Sequence, residues 1–269
     1  MRREGPAGYC GDTSMVLRTT LRDCLYLNWA LPARVLPAVP EPLRHDLHPA
    51  AGQEWGFVSA LLFVQEGLRM PGLPLARVSF PQLNLRFNVL DGEGQPAVFF
   101  CRMLAPHWVA PAARLFAGQP VRGARLDFPR PSEDPGSEEW TWRAGADGEA
   151  GLAVVGRRGA APAGAGPELG SWEATVRYFR ERRRGYSRAG SRLRKIETRH
   201  PRSAVWPMKV ELLAVGLVGE GLGLGEEGAA ALAGGLHSVW LCPEMALTFE
   251  TASAPAVEEP VRRSVPAAG

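Results

Sequence analysis

Residues 82–89 read QLNLRFNV, an unbroken alternation of polar and apolar side chains. A period of two is typical of a β-strand that has one apolar face and one polar face. Pro81 precedes the stretch, at the beginning of the strand, where a missing amide donor is tolerated. Both fold and function depend on where the polar row points. That row consists of Gln82, Asn84, Arg86 and Asn88.

The apolar segment that follows decides between the two orientations of this row. The turn signal at residues 91–94, DGEG, leads into residues 97–101, AVFFC, so the two segments are predicted to form a hairpin. Side chains that lie opposite each other in a hairpin share a face, and a partner strand without polar residues has no wet side. We therefore predict that the polar row is covered and lines a polar cavity. The alternative is a solvent-facing row, because sheets with one wet face are common.

Arg86 makes the covered orientation chemically demanding. Burying a guanidinium without a partner costs on the order of several kcal/mol, so Arg86 needs a carboxylate, an anion or a water-filled cavity. Guanidinium groups form paired hydrogen bonds with carboxylate or phosphate. We therefore predict a ligand site here. The alternative is an arginine tied to a carboxylate or to loop carbonyls of the protein itself.

Composition bounds the class of protein. The chain has 269 residues, 22% of them charged, and a net charge of +3, which fits one sizeable β-rich globular domain. Neither a signal-peptide pattern nor about 18 uninterrupted apolar residues occurs, so we expect a cytoplasmic location and no membrane partner. The four cysteines are scattered, which predicts neither a metal site nor a disulfide framework. No P-loop, GxSxG or HExxH pattern occurs, and no cofactor is expected.

The clearest helix of the sequence begins after Ser171, a favourable N-cap. Trp172, Val176 and Phe179 follow at the spacing of one helical face, and Gly185 is predicted to end the helix. A second, short helix is predicted at residues 107–117, broken by Pro111. Residues 1–19 and 252–269 are predicted to be flexible, and residues 20–251 to form a single domain.

An arginine-rich segment extends from Arg177 to Arg202. Such a run can bind phosphate or nucleic acid. Cations are also favourable at the end of a helix, and this chain uses arginine in place of lysine nearly everywhere. A solvated face is the preferred interpretation, so nucleic acid is not an expected partner.

Several pieces of the chain, in order, resemble a known family. They are Leu27-Asn28-Trp29 before a proline-rich turn, residues 80–89 (FPQLNLRFNV), residues 98–100 (VFF), Tyr186 after the helix, and His200-Pro201 followed by Trp206-Pro207. Together they are similar to the bacterial YqjF-like family of uncharacterised proteins, over roughly residues 20–250. That family resembles in turn the acetoacetate decarboxylase-like superfamily. The resemblance implies a β-rich α+β fold, in which an antiparallel β-barrel encloses a pocket and a few helices pack against it.

The resemblance reaches the chemistry at residues 113–122, ARLFAGQPVR. In the similar decarboxylase pattern, glycine-arginine-glutamate leads through an aromatic residue, a glycine and a proline to two adjacent lysines, the first of which forms the Schiff base. Arg114, Gly118 and Pro120 match, but Val121 stands at the reactive lysine position and Arg122 at its neighbour's. Valine has no nucleophile, and a guanidinium stays protonated. The resemblance therefore implies the fold without Schiff-base decarboxylation.

Other side chains offer weaker signals. Lys195 lies in the arginine-rich segment and Lys209 in another strand, so neither is expected to replace the missing lysine. His107 and His200 each neighbour a proline and are expected to be exposed. Tryptophans could wall an apolar cavity, although core packing is the preferred interpretation for each; they are Trp29, Trp55, Trp108 and Trp206.

The leading hypothesis is a bacterial protein that binds a small anionic or polar-headed organic molecule in its barrel. The alternative is an enzyme of lyase, isomerase or hydratase type that acts on a keto or hydroxy acid in the same pocket. It predicts a titratable group, such as His107 or a glutamate, within reach and with a perturbed pKa. No pattern in the sequence fixes the ligand or the oligomeric state. The candidate pocket residues are Gln82, Asn84, Arg86, Asn88, Arg114 and Arg122.

Overall fold

In the computed structural model, the alternating stretch at residues 82–89 belongs to one long strand, Leu73–Leu90. The structure describes residues 15–70, 73–117, 121–148, 150–159, 167–190 and 192–253. The elements in chain order are β1 (Met15–Pro32), a 3₁₀ turn (Ala33–Val35), β2 (Arg44–His45), β3 (His48–Ala50), β4 (Gln53–Met70), β5 (Leu73–Leu90), β6 (Pro96–Ala105), α1 (Val109–Ala117), β7 (Val121–Gly123), β8 (Arg125–Asp127), β9 (Trp140–Gly145), β10 (Leu152–Arg158), α2 (Trp172–Arg180), β11 (Arg184–Ala189), β12 (Arg192–Arg199), β13 (Trp206–Ala214), α3 (Gly216–Leu222), α4 (Glu226–Ala233) and β14 (Ser238–Ser253).

Seven strands form a closed ring. Their order is β1, β4, β5, β6, β11, β12 and β14, and β14 pairs back with β1. The pairings are antiparallel except at one seam, where β6 and β11 run parallel. A parallel pair needs a long crossover connection, and here α2 and the strands β7 to β10 lie between the two strands in the chain. The predicted β-rich class is confirmed, with this parallel seam as a difference from an all-antiparallel ring.

The outer face of the ring packs against a second layer. That layer contains the sheet β8-β9-β10-β13 and helices α3 and α4. Leu83, Leu85 and Phe87 of β5 share one hydrophobic core with Trp142 of β9 and Leu217 of α3. Because alternate residues of a strand face opposite sides, burial of this apolar face turns the polar row of β5 toward the inside of the ring.

The predicted hairpin between β5 and β6 is present and contains a β-bulge. The register shifts between Leu85 and Arg86, which leaves Cys101 as the extra residue of β6. A bulge interrupts the normal alternation of side chains. Phe100 and Met103 are three positions apart and would ordinarily face opposite sides, yet both line the interior of the ring.

Helix α2 begins as predicted but ends earlier. The Ser171 hydroxyl accepts a hydrogen bond from the amide of Ala174 at 3.3 Å, and the helix ends at Arg180. Gly185 lies in β11 instead of ending the helix. A Cβ at this position would come within 2.6 Å of Phe100 Cε2 on the neighbouring strand. The glycine therefore permits a close approach of β6 and β11.

Three further boundaries differ from the sequence prediction. Pro111 does not break α1, because it is the third residue of a helix that begins at Val109, where amides have no partner within the helix. Strand β1 begins at Met15 and pairs with β14, so the ring begins before the predicted domain boundary at residue 20. Strand β14 ends at Ser253, beyond the predicted domain boundary. Residues 1–14 and 254–269 lie outside the described chain. None of the helices in the described ranges has the length and apolar character needed to cross a membrane.

Candidate functional site

The ring encloses a cavity of about 240 Å³. Its walls come from six strands of the ring, from β7 and from helix α1, and residues in and after α2 also contribute. A volume of this size equals that of about eight liquid water molecules at ~30 Å³ each. It can therefore hold a small organic molecule of roughly eight to twelve non-hydrogen atoms.

Strand β5 supplies three of the predicted residues to the cavity wall. Gln82, Asn84 and Arg86 all line the cavity, and Gln82 Nε2 donates a hydrogen bond to Asn84 Oδ1 at 2.8 Å. Asn88, one further step along the same face, is fully buried and is not among the residues that line the cavity. The polar row is thus covered, as the apolar partner strand indicated, and most of it faces the interior space.

Arg86 is held by the main chain on one side and is open on the other. It is only 7% exposed, and its Nη2 donates to the carbonyl oxygen of Phe179 at 3.2 Å. The guanidinium carbon lies 5.6 Å from the ring centroid of Tyr26. The Nε–H is buried and has no hydrogen-bond partner in the described part of the chain. Burial lowers the pKa of Arg86 from its ordinary value, and the charge of Arg182 adds to this effect.

Arg182 also lines the cavity, and its hydrogen bonds are satisfied by the protein itself. It donates to the carbonyl oxygens of Tyr178, Val89 and Ala97 at 3.1–3.2 Å. It also forms a short ion pair with Asp46. The protein thus contains both kinds of buried arginine that the sequence allowed. Arg182 is tied to carbonyls and a carboxylate, whereas Arg86 has one carbonyl partner among the described residues.

Arg180 and His200 lie side by side in the wall. Arg180 donates from Nη1 to the carbonyl oxygen of Ser203 at 2.8 Å, while its buried Nε has no partner among the described residues. His200 Nε2 lies 3.0 Å from the carbonyl oxygen of Arg180. Burial lowers the pKa of His200 from its ordinary value, and the neighbouring Arg180 charge acts in the same direction. The positive charge of this wall is therefore carried by arginine.

The same pair also borders an outer groove beside α2. Both Arg180 and His200 line this groove, together with the exposed side chains of Arg177, Arg183 and Arg202. Arg180 and His200 thus separate the cavity from a surface rich in positive charge. The preferred interpretation of the arginine-rich segment as a solvated face does not hold for Arg182, which is buried, or for Arg180, which is half-buried. The chain turns inward between the end of α2 and the start of β11.

Besides Asn88, two more of the predicted pocket residues do not line the cavity. Arg114 is exposed, and its Nε donates to the carbonyl oxygen of Val121 at 2.8 Å. Arg122 is also exposed. The periodicity of α1 directs Val109, Ala112 and Ala113 inward, and this leaves Arg114 on the outer side. In β7, alternation places Val121 inward and the next residue outward.

Val121, the residue that stands at the lysine position of the resembled pattern, does face the cavity. It is 5% exposed and packs in one cluster with Phe80, Met103 and Val109. Lys195 pairs with Glu197 at 2.6 Å on β12, and Lys209 is exposed on β13. Neither lysine is among the described residues that line the cavity.

The titratable groups of the cavity differ from those that were predicted. No aspartate or glutamate is found among the described lining residues. His107 is exposed, lies 4.0 Å from Asp147 and does not line the cavity, whereas His200 does. Tyr26 also lines it, and burial raises the pKa of its phenol. Within the described residues, no group of three histidine, cysteine, aspartate or glutamate side chains is placed to hold a metal ion.

Seven polar residues of the described cavity wall were not predicted from the sequence; of these, Gln65 and Arg69 lie on β4 and Thr198 lies on β12. Tyr26, Arg180, Arg182 and His200 come from β1, the end of α2, the following loop and the segment after β12. The single local signal was the position of Arg180, directly after the apolar face of the predicted helix. The others reach the cavity through ring closure between residues far apart in the chain.

A family comparison covers most of the chain. The model of DUF2071, described as "Uncharacterized conserved protein", matches residues 18–233. No curated protein matches the chain. The match confirms the family resemblance that the sequence predicted.

Solved structures show a similar fold. An acetoacetate decarboxylase-like enzyme from Sphingomonas wittichii RW1 is 14% identical, with a TM-score of 0.53 over 96% of this chain and 98% of that chain. The enduracididine biosynthesis enzyme MppR with bound HEPES buffer is 13% identical, with a TM-score of 0.53 over 90% and 87%. MppR in complex with the condensation product of pyruvate and imidazole 4-carboxaldehyde is 12% identical, with a TM-score of 0.51 over 93% and 95%. At this level of identity the likeness shows the fold, which is acetoacetate decarboxylase-like.

Proposed function

The chain belongs to the DUF2071 family, and we propose that it binds a small anionic organic molecule in its ring cavity without Schiff-base decarboxylase chemistry. One observation carries the proposal. Arg86 is a cation at 7% exposure that faces the cavity, and its Nε–H has no partner among the described residues. A buried charge in this state is costly unless an anion or water completes its hydrogen bonds.

The neighbours of Arg86 support an anion as the occupant. Arg180 adds a second guanidinium that has no carboxylate partner among the described residues, and its Nε is likewise buried without a hydrogen bond. Asn84 and Gln82 provide neutral amide groups at the same wall. Exposed arginines in the outer groove raise the local concentration of anions near the site. Carboxylate fits best, because guanidinium binds its two oxygens in a planar, paired geometry.

The side chains at the cavity support the proposed lack of Schiff-base chemistry. Covalent catalysis of that kind requires a neutral amine at the reacting carbonyl. Val121 faces the cavity at the position that the resemblance assigns to the lysine, and the described lining residues include no lysine. We therefore expect no covalent adduct when the protein is incubated with acetoacetate and borohydride and examined by intact-mass spectrometry. A mass increase that maps to Lys195 or Lys209 would overturn this part of the proposal.

The anion site is tested by the variant Arg86→Met, which keeps the apolar part of the side chain and removes the charge. Titration with sodium butanoate should show an affinity lower by about tenfold or more, since a charge-assisted hydrogen bond contributes roughly 1.5–3 kcal/mol. Arg125→Met, at an exposed arginine of β8, is the matched control and should bind like the wild type. Equal butanoate affinity in the wild type, Arg86→Met and Arg125→Met would show that Arg86 does not bind the anion.

A second candidate function is an enzyme that acts on a keto or hydroxy acid in the same cavity. The observation in its favour is His200, a titratable side chain in the wall whose pKa is lowered by burial. His200 Nε2 lies 3.0 Å from the carbonyl oxygen of Arg180, and this contact also fixes the orientation of the imidazole. If His200 transfers protons, His200→Gln should abolish the exchange of the C3 methyl protons of bound pyruvate with deuterated solvent, while butanoate is still bound. If the wild type shows no exchange above the buffer, this candidate fails.

A further inference from the structure

We propose that the occupant of the cavity is an amphiphilic acid, with its carboxylate at Arg86 and an elongated apolar body that extends along β5 toward α1. This inference rests on the proposed function and names the chemical class of the ligand. It is argued from the unequal distribution of polar and apolar side chains along the cavity.

The cavity has two chemically distinct ends. The polar end is formed by Gln82, Asn84, Arg86, Arg180 and His200. The other end is mainly apolar and is formed by Val78, Phe80, Met103, Trp108, Val109 and Val121. Two polar residues of β4 also line it: Gln65 lies opposite Phe80, and Arg69 is exposed at its border.

The two ends are separated along a single strand. Phe80 and Arg86 both line the cavity, and the six residue steps between them correspond to roughly 20 Å of strand. In β5, the inward side chains change from Val78 and Phe80 to Gln82, Asn84 and Arg86. With a volume of about 240 Å³, this space favours a slender chain over a compact, fully polar metabolite. Most hydroxyl or amide groups of such a metabolite would face apolar side chains at the mainly apolar end and lose their hydrogen bonds there.

Helix α1 leaves room for the apolar body. Its inward face presents Val109, Ala112 and Ala113, and alanine occupies little of the space between the helix and the strands. Trp108, just before the helix, is 63% exposed although it lines the cavity, and its ring is edge-on to Phe80 at 6.1 Å. A large exposed aromatic side chain at the border of an apolar cavity is typical of a binding site for an apolar group.

The test is a titration series with the full chain, freed of co-purifying ligand, and three probes. Sodium butanoate, sodium octanoate and octan-1-ol are compared by calorimetry. Each buried methylene is expected to raise affinity roughly fourfold, so octanoate should bind on the order of a hundredfold more tightly than butanoate. Octan-1-ol, which lacks the charge, should bind at least about tenfold more weakly than octanoate.

A variant locates the apolar body. Ala113→Leu fills space at α1, so it should weaken octanoate by about tenfold and leave butanoate affinity unchanged. The control is Ala230→Leu, at an exposed position of α4, which should alter neither affinity. Because the probe series uses the wild-type protein, the inference remains testable even if Ala113→Leu does not fold.

The outcomes separate this inference from the function on which it rests. Equal affinity for butanoate and octanoate would overturn the amphiphilic ligand and leave the anion site standing. Equal affinity for octan-1-ol and octanoate would overturn recognition of the anion. Binding of neither carboxylate would overturn both.

Discussion

The wall around Arg182 and the wall around Arg86 contain the same buried residue type in opposite states. Around Arg182, three carbonyl oxygens and the carboxylate of Asp46 accept hydrogen bonds from the guanidinium. Around Arg86, a single carbonyl oxygen does so in the described part of the chain, and a buried Nε–H is left without a partner. Both side chains line the cavity.

The difference teaches that burial of an arginine does not by itself indicate a binding site. What distinguishes the two walls is how many of the five N–H donors of each guanidinium are used. A guanidinium whose donors are used by the protein connects chain segments. Arg182 connects the end of α2 to the last residues of β5 and the first residues of β6. An unsatisfied guanidinium retains donors for a ligand. On this view Arg182 contributes mainly to stability, and Arg86 mainly to binding.

The largest effect is expected for Arg182→Met. This change leaves Asp46 without its cation and leaves buried carbonyls without donors, so the free energy of unfolding should fall by about 3–5 kcal/mol. Urea denaturation followed by circular dichroism measures it. The exposed arginine in Arg125→Met is the control and should change the free energy by less than about 0.5 kcal/mol. A loss below 1 kcal/mol for Arg182→Met would show that the two walls do not differ as described.

A smaller change in stability is expected for Arg86→Met. Removing the charge relieves an uncompensated buried cation and leaves one carbonyl without its donor. These effects oppose each other, so the free energy of unfolding in ligand-free protein should stay within about 1 kcal/mol of the wild type. The same urea experiment measures it. If Arg86→Met loses as much stability as Arg182→Met, then Arg86 is a structural arginine, and the proposed difference between the two residues is wrong.

The smallest effect concerns pH. The pKa of His200 is lowered from its ordinary value of 6.5 because the imidazole is buried and the charge of Arg180 is close. As the pH falls below 6.5, the unfolded chain therefore binds more protons than the folded chain. The contribution of His200 to the free energy of unfolding is fully present above pH 6.5 and decreases below it. Burial lowers the pKa of His45 and His237 in the same direction. His200→Gln should reduce, and not abolish, the slope of unfolding free energy against pH below 6.5.

The control for this measurement is His107→Gln, at an exposed histidine that does not line the cavity. An identical slope in His200→Gln and wild type would show that His200 is as accessible to water as a surface residue.

Much of the strand architecture near β5 could be predicted from sequence, because it depends on local alternation and on the neighbouring strand. The inward orientation of Arg86 followed from an apolar partner at residues 97–101, and the structure places that strand beside it. The resemblance at residues 80–89 supplied the fold. Local patterns were sufficient where the stabilising contact is between consecutive strands.

The remainder of the wall could not be predicted from local pattern. Arg180, Arg182 and His200 reach the cavity because β11 joins β6 through a parallel seam and β12 joins β14, and no short-range signal encodes these pairings. Arg114 and Arg122 were assigned to the pocket from resemblance. Their side chains point away because the rotation of α1 and the alternation of β7 are set by tertiary packing.

The claim that Arg86 keeps a free donor for a ligand is tested most directly by NMR. The measurement follows the side-chain ¹⁵N–¹H resonance of Arg86 Nε, which is assigned by its absence in Arg86→Met. Addition of sodium octanoate should shift this resonance to saturation, while the Nε resonance of Arg182, which is bonded to the Tyr178 carbonyl at 3.2 Å, stays in place. An unchanged Arg86 resonance at an octanoate concentration that shifts only exposed arginines such as Arg125 would contradict the account.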